Sequence, residues 1–191
     1  SYGYYTEAEG LAHFFQSGTD PRGNPVIATS YNADGRLETV TDALNNTSTY
    51  SYDVVAGTTT ISNPNGDGSS VMAYDDWGNL TSEVDELGRE TAYAYDADNN
   101  LLTVENNAGE VTSYSYDAQG NRTSVTNALG IEVISASYNQ YGAPQTLTDA
   151  NGVTRDIDYD ATSGMPLSAS DPLGDIGSYT WNLQGSPLTV T

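Results

Sequence analysis

The stretch that decides the fold reads YDADNNLLTVENNAGEVTSYSYD and runs from Tyr95 to Asp117. It begins and ends with an aromatic residue followed by Asp, and this dipeptide recurs along the chain, with Asn replacing Asp in some copies. The aromatic residues of the eight copies are Tyr31, Tyr52, Tyr74, Tyr95, Tyr116, Tyr138, Tyr159 and Trp181. Because they are 21 or 22 residues apart, we predict a stacked array of repeats, in which each unit buries its apolar surface against its neighbours.

Each repeat carries two turn signals. In the first, the residue three places after the Asp or Asn is glycine in most copies, and Asn99 takes its place in the quoted repeat. Glycine and Asn both tolerate positive φ, so this position is expected to be left-handed. The second signal begins with Asp or Asn and reaches Gly three residues later, as in Asn106–Gly109, with Asn45 in place of Gly in one copy. Both signals are typical of tight turns.

Two short apolar or alternating runs separate the turns. Leu101 to Val104 forms the first run, and Glu90 to Tyr95 shows the alternation of the second, with Tyr93 and Tyr95 on one face. Period two with β-branched and aromatic residues predicts β-strands. We therefore expect an all-β fold, a repetitive array of antiparallel hairpins with a repeat of about 21 residues. About fifteen strands would form a curved or spiralling sheet, with the key tyrosines stacked in a ladder across it.

Some segments depart from the pattern. The second repeat has Gly57 followed by Thr58 and Thr59 where others have Gly-x-Leu, and the seventh has one extra residue before Gly164. Bulges or longer loops are expected to absorb these slips. Two regions are predicted, an irregular segment at 1–30 and an array of about seven and a half repeats at 31–191. The first region is either a degenerate repeat or an edge-covering cap, and the array is expected to be a fragment of a longer protein.

The charge of the chain is strongly negative. It has 26 Asp and Glu against 5 Lys and Arg, a formal net charge of −21. Binding to nucleic acid requires clustered basic residues, and anionic lipid surfaces repel such a chain. The chain has no cysteine and no apolar run long enough to span a membrane. We therefore expect no nucleic-acid partner and no membrane insertion.

The motif Tyr-Asp-x-x-Gly-x-Leu followed by Asp-x-x-Gly-x-x-x-x-Tyr resembles the YD repeat of the RHS (rearrangement hotspot) family. The segments from Tyr74 to Tyr95 and from Tyr116 to Gly130 carry the resemblance most clearly, and it covers about residues 31–191. The family includes bacterial polymorphic toxins, insecticidal toxin-complex subunits, wall-associated proteins and teneurins. The resemblance implies a long sheet that spirals into a hollow shell, which encloses a toxic domain in the toxins and serves cell-surface contact in other members. Asp171-Pro172-Leu173-Gly174 is superficially similar to part of the family's self-cleavage signal, but it also occupies the ordinary second turn of its repeat.

Catalysis is not expected. The single histidine, His13, stands alone in the irregular segment, and the Asp residues recur in phase with the turns, which explains them without chemistry. The resemblance instead implies a structural scaffold or shell segment of an exported bacterial RHS/YD-repeat protein, secreted or at the cell surface, that encloses a cargo domain or builds a cell-surface or extracellular assembly. Its partners would be neighbouring repeats of the same longer chain or other copies of itself.

No cofactor is expected, and weak calcium binding is the one exception that the sequence suggests. Asn63-Pro64-Asn65-Gly66-Asp67-Gly68 matches the first half of an EF-hand loop, so Asn63, Asn65 and Asp67 are the candidate ligands. The twelfth position would be Tyr74 rather than a bidentate Glu, and the same residues also form the second turn of a repeat.

Trp77 is the candidate ligand-binding residue. It stands within the turn Asp75-Asp76-Trp77-Gly78, where a large apolar ring has no evident packing role. This residue and the tyrosines support an alternative function, an adhesion or glycan-binding module that contacts cell-surface glycans or proteins through loops and exposed aromatic rings.

Overall fold

The structure is a computed structural model, and it describes residues 1–6, 10–64, 66, 68–182 and 185–190. The chain divides into two compact units, Ser1–Ala92 and Tyr93–Thr191. Every regular element in the described ranges is a β-strand. Among these residues there is also no helix of the length and apolar character that a membrane span requires.

The first unit is an antiparallel meander in which each strand pairs with the next. Its strands are β1 (Tyr2–Tyr4), β2 (Phe15–Thr19), β3 (Pro25–Tyr31), β4 (Leu37–Asp42), β5 (Thr47–Asp53), β6 (Thr58–Ser62), β7 (Ser69–Tyr74) and β8 (Leu80–Val84). Strand β9 (Glu90–Tyr95) begins in this unit and runs across the boundary. Residues 1–30 thus contain β1, β2 and most of β3, and the turn at Asp20 joins β2 to β3.

The second unit repeats the same arrangement, again with each strand antiparallel to the next. Its strands are β10 (Leu101–Glu105), β11 (Val111–Tyr116), β12 (Arg122–Thr126), β13 (Glu132–Tyr138), β14 (Pro144–Asp149), β15 (Thr154–Tyr159), β16 (Pro166–Asp171), β17 (Gly174–Trp181) and β18 (Pro187–Val190). The predicted all-β array of antiparallel hairpins is confirmed, with two strands in each repeat.

The two faces of the sheet differ in chemistry. Directly opposite residues share a face, and the pair Tyr114–Val125 lies on the face opposite to the pair Ser115–Ser124. Hydroxyl groups on the second face meet across strands at 2.7 to 2.8 Å, as in the pairs Ser30–Thr39, Thr41–Thr47, Ser137–Thr146 and Thr148–Thr154. Among the described residues no hydrophobic side chain is fully buried, so the half-buried aromatic face takes the place of a closed core.

A bulge marks the end of most strands that carry the repeat aromatic. The register shifts at Tyr31, Tyr74, Tyr116, Tyr138, Tyr159 and Trp181. In the second repeat β5 and β6 instead stay in register through the pair Asp53–Thr58. The prediction that a bulge or a longer loop absorbs that slip is therefore wrong, since the regular repeats carry the bulge and the divergent one lacks it. The extra residue of the seventh repeat does lie in a longer loop, between Tyr159 and Pro166.

Candidate functional site

The turns are held by a recurring carboxylate or amide clamp. In the turn after Tyr116, Asp117 Oδ1 accepts hydrogen bonds from the N–H groups of Gln119 and Asn121, at 3.0 and 2.9 Å. The backbone N–H of Asp117 donates to the carbonyl of Asn121, and that of Gly120 donates to the carbonyl of Asp117. Gly120 has a φ of 82° and Asn99, its counterpart one repeat earlier, has 65°. The predicted left-handed position is confirmed, and its physical reason is that the chain reverses there.

The same clamp operates in both kinds of turn. Its Oδ1 atom accepts the N–H groups two and four residues later in the turns that begin at Asp20, Asn32, Asp42, Asp75, Asp85, Asp96, Asn106, Asn127, Asn139 and Asp149. Because short polar side chains can satisfy backbone donors locally, Asp and Asn are equally able to accept these two backbone hydrogen bonds. The recurring carboxylates thus have a structural explanation.

Asp and Asn differ in how the second side-chain atom is used. Asp117 Oδ2 accepts a further bond from Asn121 Nδ2 at 2.9 Å, and Asp85 Oδ2 meets the Arg89 guanidinium at 2.6 to 2.7 Å. The hydrogen bond from the side chain four residues later is the largest cause of a lowered pKa at Asp20, Asp42, Asp75, Asp85, Asp96 and Asp117. Donation to the ionised form favours it, so these carboxylates stay charged and bonded at neutral pH.

The repeat aromatic is tied to the preceding hairpin. Tyr116 Oη donates to the carbonyl of Leu101, the first residue of β10, at 2.9 Å. The same bond to the first residue of the preceding strand recurs, at 2.6 to 2.9 Å, in the pairs Tyr52–Leu37, Tyr138–Arg122, Tyr159–Pro144 and Trp181–Pro166, with the indole Nε1 as donor in the last. Each ring thereby joins neighbouring hairpins, which explains why a residue with an aromatic body and a polar tip repeats at this position.

The predicted ladder of stacked tyrosines needs correction. Successive repeat aromatics lie on alternate strands, about 9.6 Å apart, whereas ring pairs interact at about 4.5 to 7 Å. The ring contacts described here lie towards the two ends of the chain, in the pairs Tyr2–Phe15, Tyr4–Phe15, Tyr5–Tyr31, Phe14–Tyr31 and Tyr179–Trp181. The hydroxyl bond to the preceding hairpin, rather than ring stacking, is the contact that recurs.

Open grooves lie between successive turns at the edge that carries the repeat aromatics. In the second unit, one groove of about 730 Å³ is lined by Leu102, Tyr114 and Tyr116, between the turns that begin at Asp96 and Asp117. A second lies between the turns that begin at Asn139 and Asp160, with Ile157 and Tyr159 in its lining. A third follows one repeat later and is lined by Met165, Leu167, Tyr179 and Trp181 among others. Sequence reasoning missed these grooves, although their period is that of the repeat.

Trp77 lies where the sequence placed it, within the turn that begins at Asp75. Its backbone N–H donates to Asp75 Oδ1 at 2.9 Å, and its side chain is 79% exposed. The clamp thus fixes the backbone of Trp77 and leaves the indole in solvent. A binding role for Trp77 stays a prediction.

The calcium candidate is described only in part. Asn65 and Asp67 lie outside the described residues. Asn63 Nδ2 donates to Glu86 Oε2 at 3.1 Å, and the backbone N–H of Gly66 donates to the carbonyl of Asn63, as in an ordinary second turn. Within the described ranges no three His, Cys, Asp or Glu side chains are grouped to hold a metal ion. Calcium binding by this loop stays a prediction.

The RHS repeat family matches residues 31–67, 74–105 and 95–132, which together make up half of the chain. The chain belongs to the RHS-repeat family. The matched segments begin at or close to the repeat aromatics Tyr31, Tyr74 and Tyr95, so the family pattern and the clamped turns coincide. No curated protein matches the sequence.

Solved structures share the fold at low sequence identity. The crystal structure of TcdB2-TccC3-Cdc42 matches with a TM-score of 0.52 and 13% identity, over 99% of this chain and 14% of that chain. The crystal structure of TcdB2-TccC3 matches with a TM-score of 0.50 and 13% identity, over the same shares of the two chains. The crystal structure of TcdB2-TccC3 without the hypervariable C-terminal region matches with a TM-score of 0.50 and 13% identity, over 96% of this chain and 12% of that chain. This chain therefore spans about one seventh of the length of the chains it resembles.

Proposed function

We propose that this chain is a wall segment of an exported bacterial RHS protein, whose shell encloses a cargo domain or builds an extracellular assembly. The observation that carries the proposal is the bond from five of the eight repeat aromatics to the preceding hairpin, as in Tyr116 to Leu101 and Tyr138 to Arg122. A wall must hold its shape over many repeats, and these bonds connect five of the hairpins to the one before. The resemblance in fold to TcdB2-TccC3, of which this chain covers only 14%, supports the same assignment.

The carboxylates of the described turns have structural partners, which is consistent with a wall. The clamped carboxylates, such as Asp96 and Asp117, are engaged by their own turns. Their charge keeps the turn edges hydrated and mutually repulsive, which favours solubility of a large assembly. In this proposal the specific activity of the protein belongs to the enclosed domain, and the array contributes enclosure.

Protease protection tests the proposal. The native protein would be read by intact mass and terminal peptide sequencing, and any domain beyond the array would be produced alone as a reference. We expect a protease that cleaves the isolated domain to leave it intact within the whole protein. Equal cleavage in both settings, or a native protein without any additional domain, would overturn enclosure.

An adhesion or glycan-binding function is the second candidate, and the grooves favour it. Tyr114 and Tyr116 offer aromatic faces beside the polar side chains of Asp98 and Gln119, a combination that suits sugar rings with their hydroxyl groups. Trp77→Ala and Tyr114→Ala would be compared on a glycan array, with Val55→Ala, another exposed turn residue, as the control. A glycan signal that is lost in Trp77→Ala or Tyr114→Ala but kept in Val55→Ala would support this function. A wild type that binds no glycan on the array would contradict it.

A further inference from the structure

The residue two places before the repeat aromatic is large in six repeats and small in two. It is Tyr50, Met72, Tyr93, Tyr114, Ile157 or Tyr179 in the six, and Thr29 or Ala136 in the two. Residues two apart in a strand lie on the same face, so this side chain lies beside the repeat aromatic. Thr29 and Ala136 therefore leave room beside Tyr31 and Tyr138 that a larger side chain takes up in the other repeats.

The two hairpins with the small residue have the same register. Strands β3 and β4 pair Thr29 with Val40, and strands β13 and β14 pair Ala136 with Leu147. Both hairpins have five paired positions, and in both the register shifts at the repeat aromatic. Because the backbones correspond residue by residue, the side chains around the small residue can be compared directly.

In the first hairpin, a tyrosine from outside the hairpin lies in this room. Tyr5, which follows β1, meets Tyr31 edge to face, with the ring centres 5.9 Å apart. Its hydroxyl donates to the carbonyl of Thr29 at 2.9 Å. Ile27 and Val40, the neighbours of Thr29 on the same face, are half-buried. Tyr5 thus adds a ring contact and a hydrogen bond at the place where β3 has only a threonine.

Phe14 also meets Tyr31, with ring centres 4.9 Å apart, but the second hairpin has a counterpart for it. Phe14 immediately precedes β2 and lies beside Gly35, and Asn121 immediately precedes β12 and lies beside Gly142. Of the two rings on Tyr31, Tyr5 is therefore the one to which no described residue corresponds at Tyr138.

In the second hairpin, the same part of the aromatic face is open. Ile134 and Leu147, the counterparts of the two half-buried residues of the first hairpin, are 44% and 37% exposed. Tyr138 has no ring contact with another described residue. Its hydrogen bond to the preceding hairpin is exposed, whereas those of the four other bonded repeat aromatics are partly buried. The room at Ala136 is thus uncovered among the described residues.

We propose that the β13–β14 hairpin binds a peptide segment that carries a tyrosine, in the way that the β3–β4 hairpin holds Tyr5. The ring of the bound tyrosine lies over Ala136 against Tyr138 and covers Ile134 and Leu147. Its hydroxyl donates to the carbonyl of Ala136, which has the same place in the register as that of Thr29. This binding site is independent of whether the array encloses a cargo domain.

The segment around Tyr5 indicates the chemistry of the partner. Ser1 to Thr6 has no charged side chain, and a neutral segment approaches a chain of net charge −21 without the repulsion that an acidic segment meets. Tyrosine suits the site because its ring adds an edge-to-face contact to apolar burial while its polar tip finds an acceptor. Phenylalanine retains the first contribution and lacks the second.

NMR titration of the isotope-labelled 191-residue chain tests the proposal. The probe is a peptide that copies Ser1–Thr6, with Tyr2→Ser and Tyr4→Ser so that Tyr5 is its only ring. We expect the amide signals of Ala136, Tyr138 and Leu147 to shift and to saturate at millimolar peptide. The same peptide with Tyr5→Phe should bind about fivefold more weakly because it loses one hydrogen bond, and with Tyr5→Ser it should not bind.

A substitution in the hairpin separates this site from general adhesion of the peptide. Ala136→Tyr supplies the ring from within the strand, as Tyr114 does in its own repeat, so peptide binding should weaken at least about tenfold without a lower thermal unfolding midpoint. The matched control, Ala108→Tyr, adds a tyrosine at an exposed turn and should bind as the wild type does. Unchanged binding by Ala136→Tyr, or a wild type without saturable shifts at Ala136, would overturn the proposal.

The precedent in the first hairpin is tested in the same titration. Tyr5→Ser in the whole chain opens the room at Thr29, so this variant should gain a second binding site, seen as shifts at Thr29 and Tyr31, and keep the site at Ala136. Binding at Thr29 alone would show that the room at Ala136 is not a site. A folded variant that gains no site at Thr29 would show that these contacts do not hold a tyrosine, and the proposal would fail with them.

Discussion

Two hairpins of the array, β5–β6 and β11–β12, begin with the same Tyr-Asp dipeptide but close differently. In β11–β12 the glycine follows Asp117 by three residues, the loop has five residues, and a bulge lies at Tyr116. In β5–β6 the glycine follows Asp53 by four residues, the loop has four, and the strands stay in register. Glycine position alone does not decide whether a hairpin contains a bulge, because Gly164 also follows Asp160 by four residues and β15–β16, with its six-residue loop, still has a bulge at Tyr159. The hairpin without a bulge is the one with the four-residue loop.

The clamp changes with the glycine. Asp117 Oδ1 accepts from the second and fourth residues after it, whereas Asp53 Oδ1 accepts from the second and third, Val55 and Ala56. Gly57 then comes close to the next strand, and its carbonyl accepts from the Tyr74 N–H at 2.8 Å. Tyr52 nevertheless donates to Leu37 as Tyr116 does to Leu101. The bond between hairpins therefore tolerates a change of turn geometry.

The largest expected effect separates the two glycines. In Gly57→Ala, the new Cβ would lie 2.7 Å from the carbonyl oxygen of Tyr74 at a φ of 65°. The backbone must shift to relieve this contact, and the alanine must also adopt a left-handed conformation. We therefore expect a loss of about 3 kcal/mol in the free energy of unfolding. Urea unfolding of each variant measures it.

Gly120→Ala is the matched control for that substitution. Its φ is 82°, but the nearest atom to the added Cβ, Asn100 Oδ1, is 3.6 Å away. Only the left-handed strain remains, which predicts a loss of about 1 kcal/mol. Equal losses at the two glycines would show that the close approach at Tyr74 has no energetic consequence.

The next effect concerns the bond between hairpins. Tyr116→Phe removes the donor to Leu101 and leaves the ring, so we expect a loss of about 1 kcal/mol. Tyr52→Phe should cost the same if the bond is independent of the bulge. Tyr114→Phe is the control. The centre of its ring lies 5.8 Å from the guanidinium carbon of Arg122, but its hydroxyl makes no hydrogen bond among the described residues. A Tyr114→Phe loss as large as the other two would contradict this role of the hydroxyl groups.

Much of this arrangement follows from local sequence, and some of it does not. The turn positions and the left-handed Asn99 were predictable because the donors and acceptors involved lie within five residues of one another. The strands were predictable because their period-two alternation is itself a local pattern. The bonds from Tyr116 to Leu101 and from Tyr138 to Arg122 join residues 15 and 16 apart, and no local pattern states which carbonyl a hydroxyl reaches. The grooves depend on how neighbouring turns are spaced, so only their period was present in the sequence.

The pH dependence separates the Asp clamp from the Asn clamp. The pKa of Asp117 in the folded chain is lowered, first of all by the hydrogen bond from Asn121. A lowered folded pKa means that the contribution to stability is fully present above the unfolded value of about 3.8 and is lost as the pH falls through the folded pKa. The double variant Asp117→Asn with Asn121→Ile copies the natural turn from Asn127 to Ile131.

We expect this double variant to lose less stability than the wild type between pH 5 and about pH 2, because one titrating clamp has been removed. Urea midpoints at each pH measure the difference. The wild type has at least five other clamps with the same shift, including Asp75 and Asp96, so the expected change is a fraction of the whole acid dependence. If the stability of the double variant falls with decreasing pH as steeply as that of the wild type, the bond from Asn121 does not stabilise the charged form of Asp117.

The smallest effect is expected at the turn tips, which are exposed in both types of hairpin. Val55 in the divergent turn is fully exposed, and Trp77 in a regular turn is 79% exposed. Since both side chains already lie in water, Val55→Ala and Trp77→Ala should each change the free energy of unfolding by less than about 0.5 kcal/mol. A loss of more than about 1 kcal/mol in Trp77→Ala would instead give the indole a packing role and remove it as a candidate for binding.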